Sequence, residues 1–146
     1  MLLSGVANAE TTLTITHPEV PAPTLIDQGA PGESVGDVRL WHFEAQVDDG
    51  SEVWVDWIMT TTGVDAPTEG VDSRISTGTF SLSADPVSQI ILQGVARYPR
   101  DDATLKFSSP AVRVISGGSG RFAGARGWVE SIHHEDGSWK HVFHVQ

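Results

Sequence analysis

The 146-residue chain contains no cysteine, and it has only nine lysines and arginines against nineteen aspartates and glutamates. Without cysteine there is no disulfide, no thiolate nucleophile and no cysteine-ligated zinc. The formal net charge of −10 at pH 7 argues against a nucleic-acid-binding protein, because such proteins need a basic face for the phosphates. No apolar run reaches the roughly 20 residues that a membrane-spanning helix needs. We therefore expect neither nucleic acid nor a membrane as partner.

Hydrophobic residues make up 39% of the chain and charged residues 19%, which is typical of one folded domain. The start of the chain has no basic residue and too short an apolar stretch for a signal peptide, so the sequence predicts a cytoplasmic protein. Prolines and glycines punctuate residues 1–35, which we expect to form an N-terminal arm or lid, partly disordered. Within it, the alternating residues 11–16 predict either a strand or an extended arm. Residues 36–146 are the predicted domain.

From residue 36 onward, strand-forming stretches alternate with turns. Strands are predicted at 38–47, 52–62, 74–83, 88–98, 104–108, 111–116, 128–134 and 139–145. Asp-Gly pairs and Asp85-Pro86 mark turns between them, and no window of about 12 residues has a helical apolar pattern. Such a series predicts an all-β sandwich or barrel, and hairpin connections favour an eight-stranded antiparallel up-and-down β-barrel. A barrel of about eight strands can hold one small ligand.

Aromatic residues supply the strongest local signal. Arg39, Trp41 and Phe43 share one face of a predicted strand, and Trp57 and Met59 share a face of the next. Such stripes most often form ordinary core. In a small barrel the inward stripe is also the wall of any cavity, where a few polar groups orient a ligand. The polar candidates, whose facing depends on register, are Glu44, Gln46, Thr77, Arg97, Ser131 and His133.

Other chemical signals point to no cofactor and no metal. The glycine-rich loop at 117–127 lacks the GxxxxGK[ST] pattern and a following helix, so it predicts a tight connection rather than a phosphate site. No G-x-S-x-G elbow supports a catalytic triad. The histidines of the last hairpin could bind zinc with Glu130 or Glu135. Because neighbouring histidines alternate between faces, we expect them to be solvated or hydrogen-bonded instead: His133, His134, His141 and His144.

Several blocks of the sequence follow an order known from one superfamily. They are Gly36-Asp37, Asp49-Gly50, TGTFSLSAD at 77–85, IILQG at 90–94, VISGGSGRFAGARGWV at 114–129 and HVFHV at 141–145. Over residues 36–146 the chain resembles the allene oxide cyclase/dirigent superfamily, whose Gly-Gly-Thr-Gly motif occurs here with Ser119 in place of threonine. The resemblance implies an eight-stranded antiparallel β-barrel that is often oligomeric, and we expect a homo-oligomer, with a dimer favoured.

Within that superfamily the chain is most similar to bacterial spirotetronate and spirotetramate cyclases of polyketide pathways, through Gly36-x-Val38-x-x-Trp41 and Gly94-x-x-x-Tyr98. The resemblance implies a cofactor-independent, Diels-Alderase-like cyclase that folds a lipophilic linear polyene for an intramolecular [4+2] cycloaddition. It places four residues at the cavity wall: Trp41, Thr77, Tyr98 and Ser131. Strand alternation adds Phe43, Trp57 and Met59. Contacts with a polar head such as a tetronate are expected from Glu44, Arg126 or His133.

Two other classes of function stay open. A barrel of this kind can bind a lipophilic metabolite without turnover, as a binding protein or pathway chaperone. The dirigent and allene oxide cyclase branches steer phenoxy radicals or close a fatty-acid epoxide, and some relatives form oxygen heterocycles. Many dirigent proteins carry a disulfide, which this chain lacks. Arg126 stands where dirigent proteins have a pocket arginine, but Arg121 stands where many carry an acid.

Overall fold

Alternation of inward and outward side chains shapes the strands, because neighbouring residues of a strand point to opposite faces. The computed structural model describes residues 10–100, 104 and 110–146. Its strands are β1 (Thr11–His17), β2 (Thr24–Ile26), β3 (Val38–Val47), β4 (Glu52–Gly63), β5 (Val71–Leu82), β6 (Asp85–Pro99), β7 (Ala111–Gly118), β8 (Gly127–His133) and β9 (Trp139–Val145). Apart from one turn of 3₁₀ helix at Gly120–Phe122, these described residues form no helix. They therefore contain no apolar helix long enough to cross a membrane.

Eight of the strands close into a barrel. Antiparallel neighbours follow the order β1-β9-β8-β7-β6-β5-β4-β3, and β1 pairs again with β3 through Ile15 and Val47, which closes the ring. The short β2 pairs with the first residues of β3. The predicted eight-stranded antiparallel up-and-down β-barrel is confirmed.

Of the two alternatives predicted for residues 11–16, the structure shows the strand: β1 lies within the segment 1–35, and all seven of its residues pair with β9 and complete the sheet. One turn differs from the prediction. The turn predicted at Asp85-Pro86 lies at 83–84, since Asp85 already pairs with Leu82 across the hairpin. The strand predicted at 104–108 and the start of the chain at 1–9 fall outside the described residues.

The barrel interior is apolar at one end and polar at the other. The apolar end lies toward the β3–β4 and β5–β6 hairpins, and its buried side chains include Val53, Val55, Phe80, Leu82 and Ile90. Full burial of such a side chain contributes about 1.5–3 kcal/mol, so this end supplies the core. The polar end lies where β4 passes into β5, and its buried side chains include Thr61, Asp72, Arg74 and Arg113.

Ion pairs fix the chain segment before β3 onto the polar end. The guanidinium of the fully buried Arg74 lies 3.8 Å from carboxylate oxygens of Asp72 and Glu33, and 4.8 Å from the centre of the Tyr98 ring. Glu33 also binds Arg39 at 2.8 Å. Burial, together with repulsion from Arg39, lowers the pKa of Arg74. Because isolated buried charges are costly, these pairings define how the loop covers this end of the barrel.

Candidate functional site

A cavity lies inside the polar end of the barrel. Its walls are largely aromatic, formed by Trp41, Phe43, Trp57, Tyr98 and Trp139. The cavity volume is about 40 Å³. Ligand pockets usually measure roughly 300–1,000 Å³. The cavity is therefore small, and a guest larger than a few atoms must displace side chains or the segment at the mouth.

Two neighbouring strands build the main wall. Trp41 and Phe43 face inward from β3, and Trp57 and Met59 face inward from β4, with Trp41 and Trp57 directly paired. Across β4, Trp57 pairs with Gly78 of β5. A Cβ atom on Gly78 would lie 2.5 Å from Cε3 of Trp57, which no real contact allows. Glycine at this position therefore lets the indole lie against β5.

The chain that follows β1 passes over the mouth of the cavity. Val20 is part of the lining. The indole Nε1–H of Trp41 donates a hydrogen bond to the carbonyl oxygen of Pro21 at 2.9 Å. This wall residue therefore holds the covering segment, residues 18–23, in place.

Hydrogen-bond donors of the lining have unused capacity. Arg113 is 2% exposed and donates from Nη2 to the Tyr98 hydroxyl at 2.7 Å, but its Nε and Nη1 have no partner among the described residues. The same holds for the buried Nε1 of Trp139. Because the Tyr98 hydroxyl accepts from Arg113, its own proton is available to a further acceptor. No carboxylate belongs to the described lining, so the charge of Arg113 is not balanced there.

His17 and His141 form a directed hydrogen-bond chain with Ser131. Nδ1 of His17 lies 2.9 Å from the Pro18 carbonyl oxygen, which can only accept, so Nδ1 carries the proton. Nε2 of the neutral His17 ring then accepts from Nε2 of His141, 2.9 Å away. Nδ1 of His141 is left as an acceptor for the Ser131 hydroxyl at 2.8 Å. The chain thus runs from Ser131 through His141 to His17.

Burial keeps both imidazoles neutral at pH 7. It lowers the pKa of His17 to about 4, although the hydrogen bond to Pro18 raises it, and His133 lowers it further. Burial also lowers the pKa of His141 well below its usual value, with added repulsion from His17 and Arg113. Neither ring therefore offers a positive charge to a guest.

The structure brings most of the predicted substrate-binding residues together. Five of them line the cavity: Trp41, Phe43, Trp57, Met59 and Tyr98. Ser131 is buried and bonded to His141, outside the described lining. Thr77 was wrongly placed at the wall: because β5 alternates, Ser76 and Gly78 face inward, and Thr77 faces outward to accept a hydrogen bond from Gln93.

The three polar residues expected at the substrate's head do not meet in the cavity. Glu44 was wrongly oriented, because β3 turns it outward between Phe43 and Ala45, where it borders an exposed groove with Lys140. Arg126 is exposed in the loop before β8, so its placement at a pocket is wrong as well. His133 is buried and stacks on Trp139 with ring centroids 4.3 Å apart, outside the described lining.

Sequence reasoning missed Arg113 and His17 as cavity residues. In β7 the valines at 112 and 114 are 59% and 57% exposed, while Ala111, Arg113 and Ile115 face inward. From hydrophobicity alone we would expect the two valines to face inward. A shift of one residue in the register exchanges the two faces of the strand. The pairing of β7 with β6 and β8 decides the face, and no signal within the strand reveals it.

The histidines of the last hairpin do not converge on a common point. His133 and His141 face inward, whereas His134 is exposed and His144 stacks on Trp128 with centroids 3.9 Å apart. Within the described ranges, no group of three or more histidine, aspartate or glutamate side chains could hold a metal ion.

The glycine-rich loop is a structural connection. The Ser119 hydroxyl donates to the Val87 carbonyl, and the backbone N–H of Arg121 donates to the Ser88 hydroxyl at 2.9 Å. Gly120 has φ +57° and lies against Ser88, where a Cβ atom would come within 2.3 Å of the hydroxyl oxygen. The loop therefore docks on the start of β6, away from the cavity.

Comparison with known proteins gives a likeness in structure only. No protein-family model matches the chain, and no curated protein matches it. Among solved structures, pyocyanin demethylase matches with a TM-score of 0.67 and 19% sequence identity, covering 94% of this chain and 100% of that one. At this identity the likeness shows that the two chains share a barrel fold.

Proposed function

We propose that this protein is a cofactor-independent cyclase of natural-product biosynthesis, which folds a linear polyketide-type polyene in the cavity for an intramolecular [4+2] cycloaddition. The observation that carries the proposal is the aromatic cavity inside the polar end of the barrel. A polyene enters it only when the covering segment, residues 18–23, or wall side chains move aside. Large apolar walls with a few polar groups suit a flexible, lipophilic guest. The resemblance of residues 36–146 to the spirotetronate and spirotetramate cyclases supports the choice of reaction.

The reaction asks for positioning above all. A diene and an alkene on one chain form two carbon–carbon bonds, no atom is gained or lost, and no nucleophile takes part. Holding the two ends in contact can contribute about 7–11 kcal/mol in favourable cases. The rings of Trp41 and Trp57, paired across β3 and β4, offer a rigid surface against which the chain can fold.

Polar groups of the cavity can add electrostatic help. A hydrogen bond to a carbonyl conjugated with the alkene draws electrons from it and lowers the barrier, by about 2.7–4 kcal/mol for a strong, well-placed donor. Nε1–H of Trp139 and the Nε and Nη1 groups of Arg113, which have no partner in the part of the chain that the structure describes, are donors of this kind. The name of the structural neighbour, pyocyanin demethylase, describes an enzyme that acts on a small molecule, which supports a small-molecule role.

The direct test is an incubation with a linear triene ketone that carries a terminal diene and an enone on one tether. We expect a cyclic isomer of unchanged mass, formed faster than in buffer, as measured by liquid chromatography and mass spectrometry. Trp57→Ala removes a wall ring and should reduce the rate at least tenfold. Trp54→Ala is the matched control, because Trp54 lies on the outer face of the same strand, stacked on His42.

Two outcomes would contradict the proposal. Stoichiometric quenching of tryptophan fluorescence without product would mean that the barrel only binds its ligand. Equal rates for Trp57→Ala and Trp54→Ala would mean that any turnover takes place outside the cavity.

A further inference from the structure

We infer that the guest of the cavity carries an acidic oxygen, a carboxylate or an enolate, and that Arg113 is the residue that anchors it. The inference rests on the proposed function in that it concerns the same cavity, and it names the class of substrate that the cavity accepts.

The first argument is the balance of charge in the polar end. Three arginines are buried there, Arg39, Arg74 and Arg113. The first two share the carboxylate of Glu33, and Arg74 also lies 3.8 Å from Asp72. Among the residues that the structure describes, Arg113 has only the neutral Tyr98 hydroxyl. Since a buried cation without a counter-charge is costly, an anionic group on the guest would balance it.

The second argument is the kind of hydrogen-bonding capacity that remains. The two imidazoles use their acceptor nitrogens within the chain from Ser131 to His17. In the described lining most of the remaining capacity belongs to donors: Nε and Nη1 of Arg113, Nε1 of Trp139 and the Tyr98 hydroxyl. The Thr104 hydroxyl, also in the lining, can donate or accept. A group with several lone pairs and no proton complements this set, and carboxylates and enolates are such groups.

The third argument is the way Arg113 is held. Its guanidinium carbon lies 5.2 Å from the centre of the Trp57 ring, and its Cβ and Cγ rest against Gly94, where a Cβ atom would come within 3.0 Å of Cγ. The stem is thus fixed between β6 and an aromatic wall. A fixed, charged guanidinium gives charge-assisted hydrogen bonds, which favour an oxyanion over a neutral carbonyl.

The test compares sorbate, a conjugated dienoate, with its methyl ester, which has the same carbon skeleton and no charge. Binding is followed by quenching of tryptophan fluorescence at constant ionic strength. We expect the wild-type protein to bind sorbate at least tenfold more tightly than the ester, because a hydrogen bond to a charged group is stronger than one to a neutral group. Arg113→Met should abolish this preference while ester binding changes less than threefold, and Arg113→Lys should retain part of it.

Arg97→Met is the matched control, since Arg97 is exposed on β6 and its loss should leave the preference intact. If Arg113→Met fails to fold, Arg113→Lys decides in its place, and a preference as large as that of the wild-type protein in Arg113→Lys overturns the anchor. Equal binding of acid and ester overturns the anchor, even where ring closure of the triene ketone is observed. A preference that persists in Arg113→Met overturns it as well. A preference that depends on Arg113, without ring closure, supports the anchor and removes the cyclase proposal instead.

Discussion

His17 and His141 meet inside the barrel with their Nε2 atoms 2.9 Å apart, although 124 residues separate them in the chain. One ring comes from β1 and the other from β9, the two strands whose pairing helps to close the sheet. Their contact requires that only one of the two facing nitrogens carries a proton. The closure of the barrel is therefore linked to the protonation of this pair.

Acidification should destabilise the protein through these histidines. The pKa of His17 is about 4 in the folded chain and 6.5 in an unfolded one, so the unfolded state binds more protons between these values. The stabilisation is fully present above pH 6.5 and is lost as the pH falls toward 4, by about 3 kcal/mol for His17. The lowered pKa of His141 extends the loss to lower pH. Urea unfolding at a series of pH values measures it.

The variant His17→Gln gives the control for this pH dependence. It should make the curve between pH 6.5 and 4 about half as steep, because His141 still contributes in this range, whatever its effect on stability at pH 7. The lowered pKa values of Asp65 and Asp136 act only below the ordinary carboxylate value of 3.8, so their contribution falls in a separate range. A wild-type curve that is flat from pH 6.5 to 4 would contradict the proposed neutral pair.

The sequence predicted the barrel well because its signals are local. Alternation placed Trp41, Phe43, Trp57 and Met59 on one surface, and the structure agrees. The sequence could not predict features of the site that depend on contacts between strands distant in the chain. The inward position of Arg113 is set by its neighbours in the sheet, since valines flank it on both sides.

The same limit explains the other site residues. His17 reaches the cavity only because β1 completes the ring, a pairing with β9 that no local pattern announces. The resemblance placed Thr77 at the wall, and Glu44 was expected at the polar head of the substrate, but the alternation of β5 and β3 turns both side chains outward. In the structure the lining of the cavity instead takes polar groups from His17, Thr104, Arg113 and His141.

Gly78→Ala should distort the wall of the cavity, because Gly78 lies in β5 directly against the Trp57 ring. The new methyl group would lie 2.5 Å from Cε3 of Trp57, and overpacking of this kind costs about 1–3 kcal/mol. Because the indole must move, binding of sorbate should weaken and tryptophan emission should shift. Gly50→Ala is the control: it has φ +91° and nothing within 4 Å, so it should lower stability through backbone strain alone and leave binding unchanged.

Trp41→Phe should loosen the segment that covers the cavity. The substitution keeps an aromatic ring in the wall but removes the hydrogen bond to the Pro21 carbonyl. Residues 18–23 should then exchange their amide hydrogens faster, and sorbate should associate and dissociate faster, as stopped-flow quenching measures. The control Trp54→Phe changes a tryptophan on the outer face of the barrel and should alter neither rate. Unchanged exchange at residues 18–23 in Trp41→Phe would show that the bond does not hold the cover.

Arg74→Met should destabilise the protein by about 3–5 kcal/mol, because it leaves the buried carboxylate of Asp72 without one of its cations. Arg113→Met removes a cation that has no carboxylate partner in the described residues, so it should cost much less. Both arginines are buried at the same end of the barrel, so the two substitutions lose similar side-chain packing and their difference reports the charge. Arg121→Met serves as the exposed reference, because the Arg121 side chain is 71% exposed. Thermal and urea unfolding at pH 7 give the three values. If Arg74→Met and Arg113→Met lower the free energy of unfolding equally, Arg113 also has a balancing charge within the protein. That result would contradict the anchoring role inferred for Arg113.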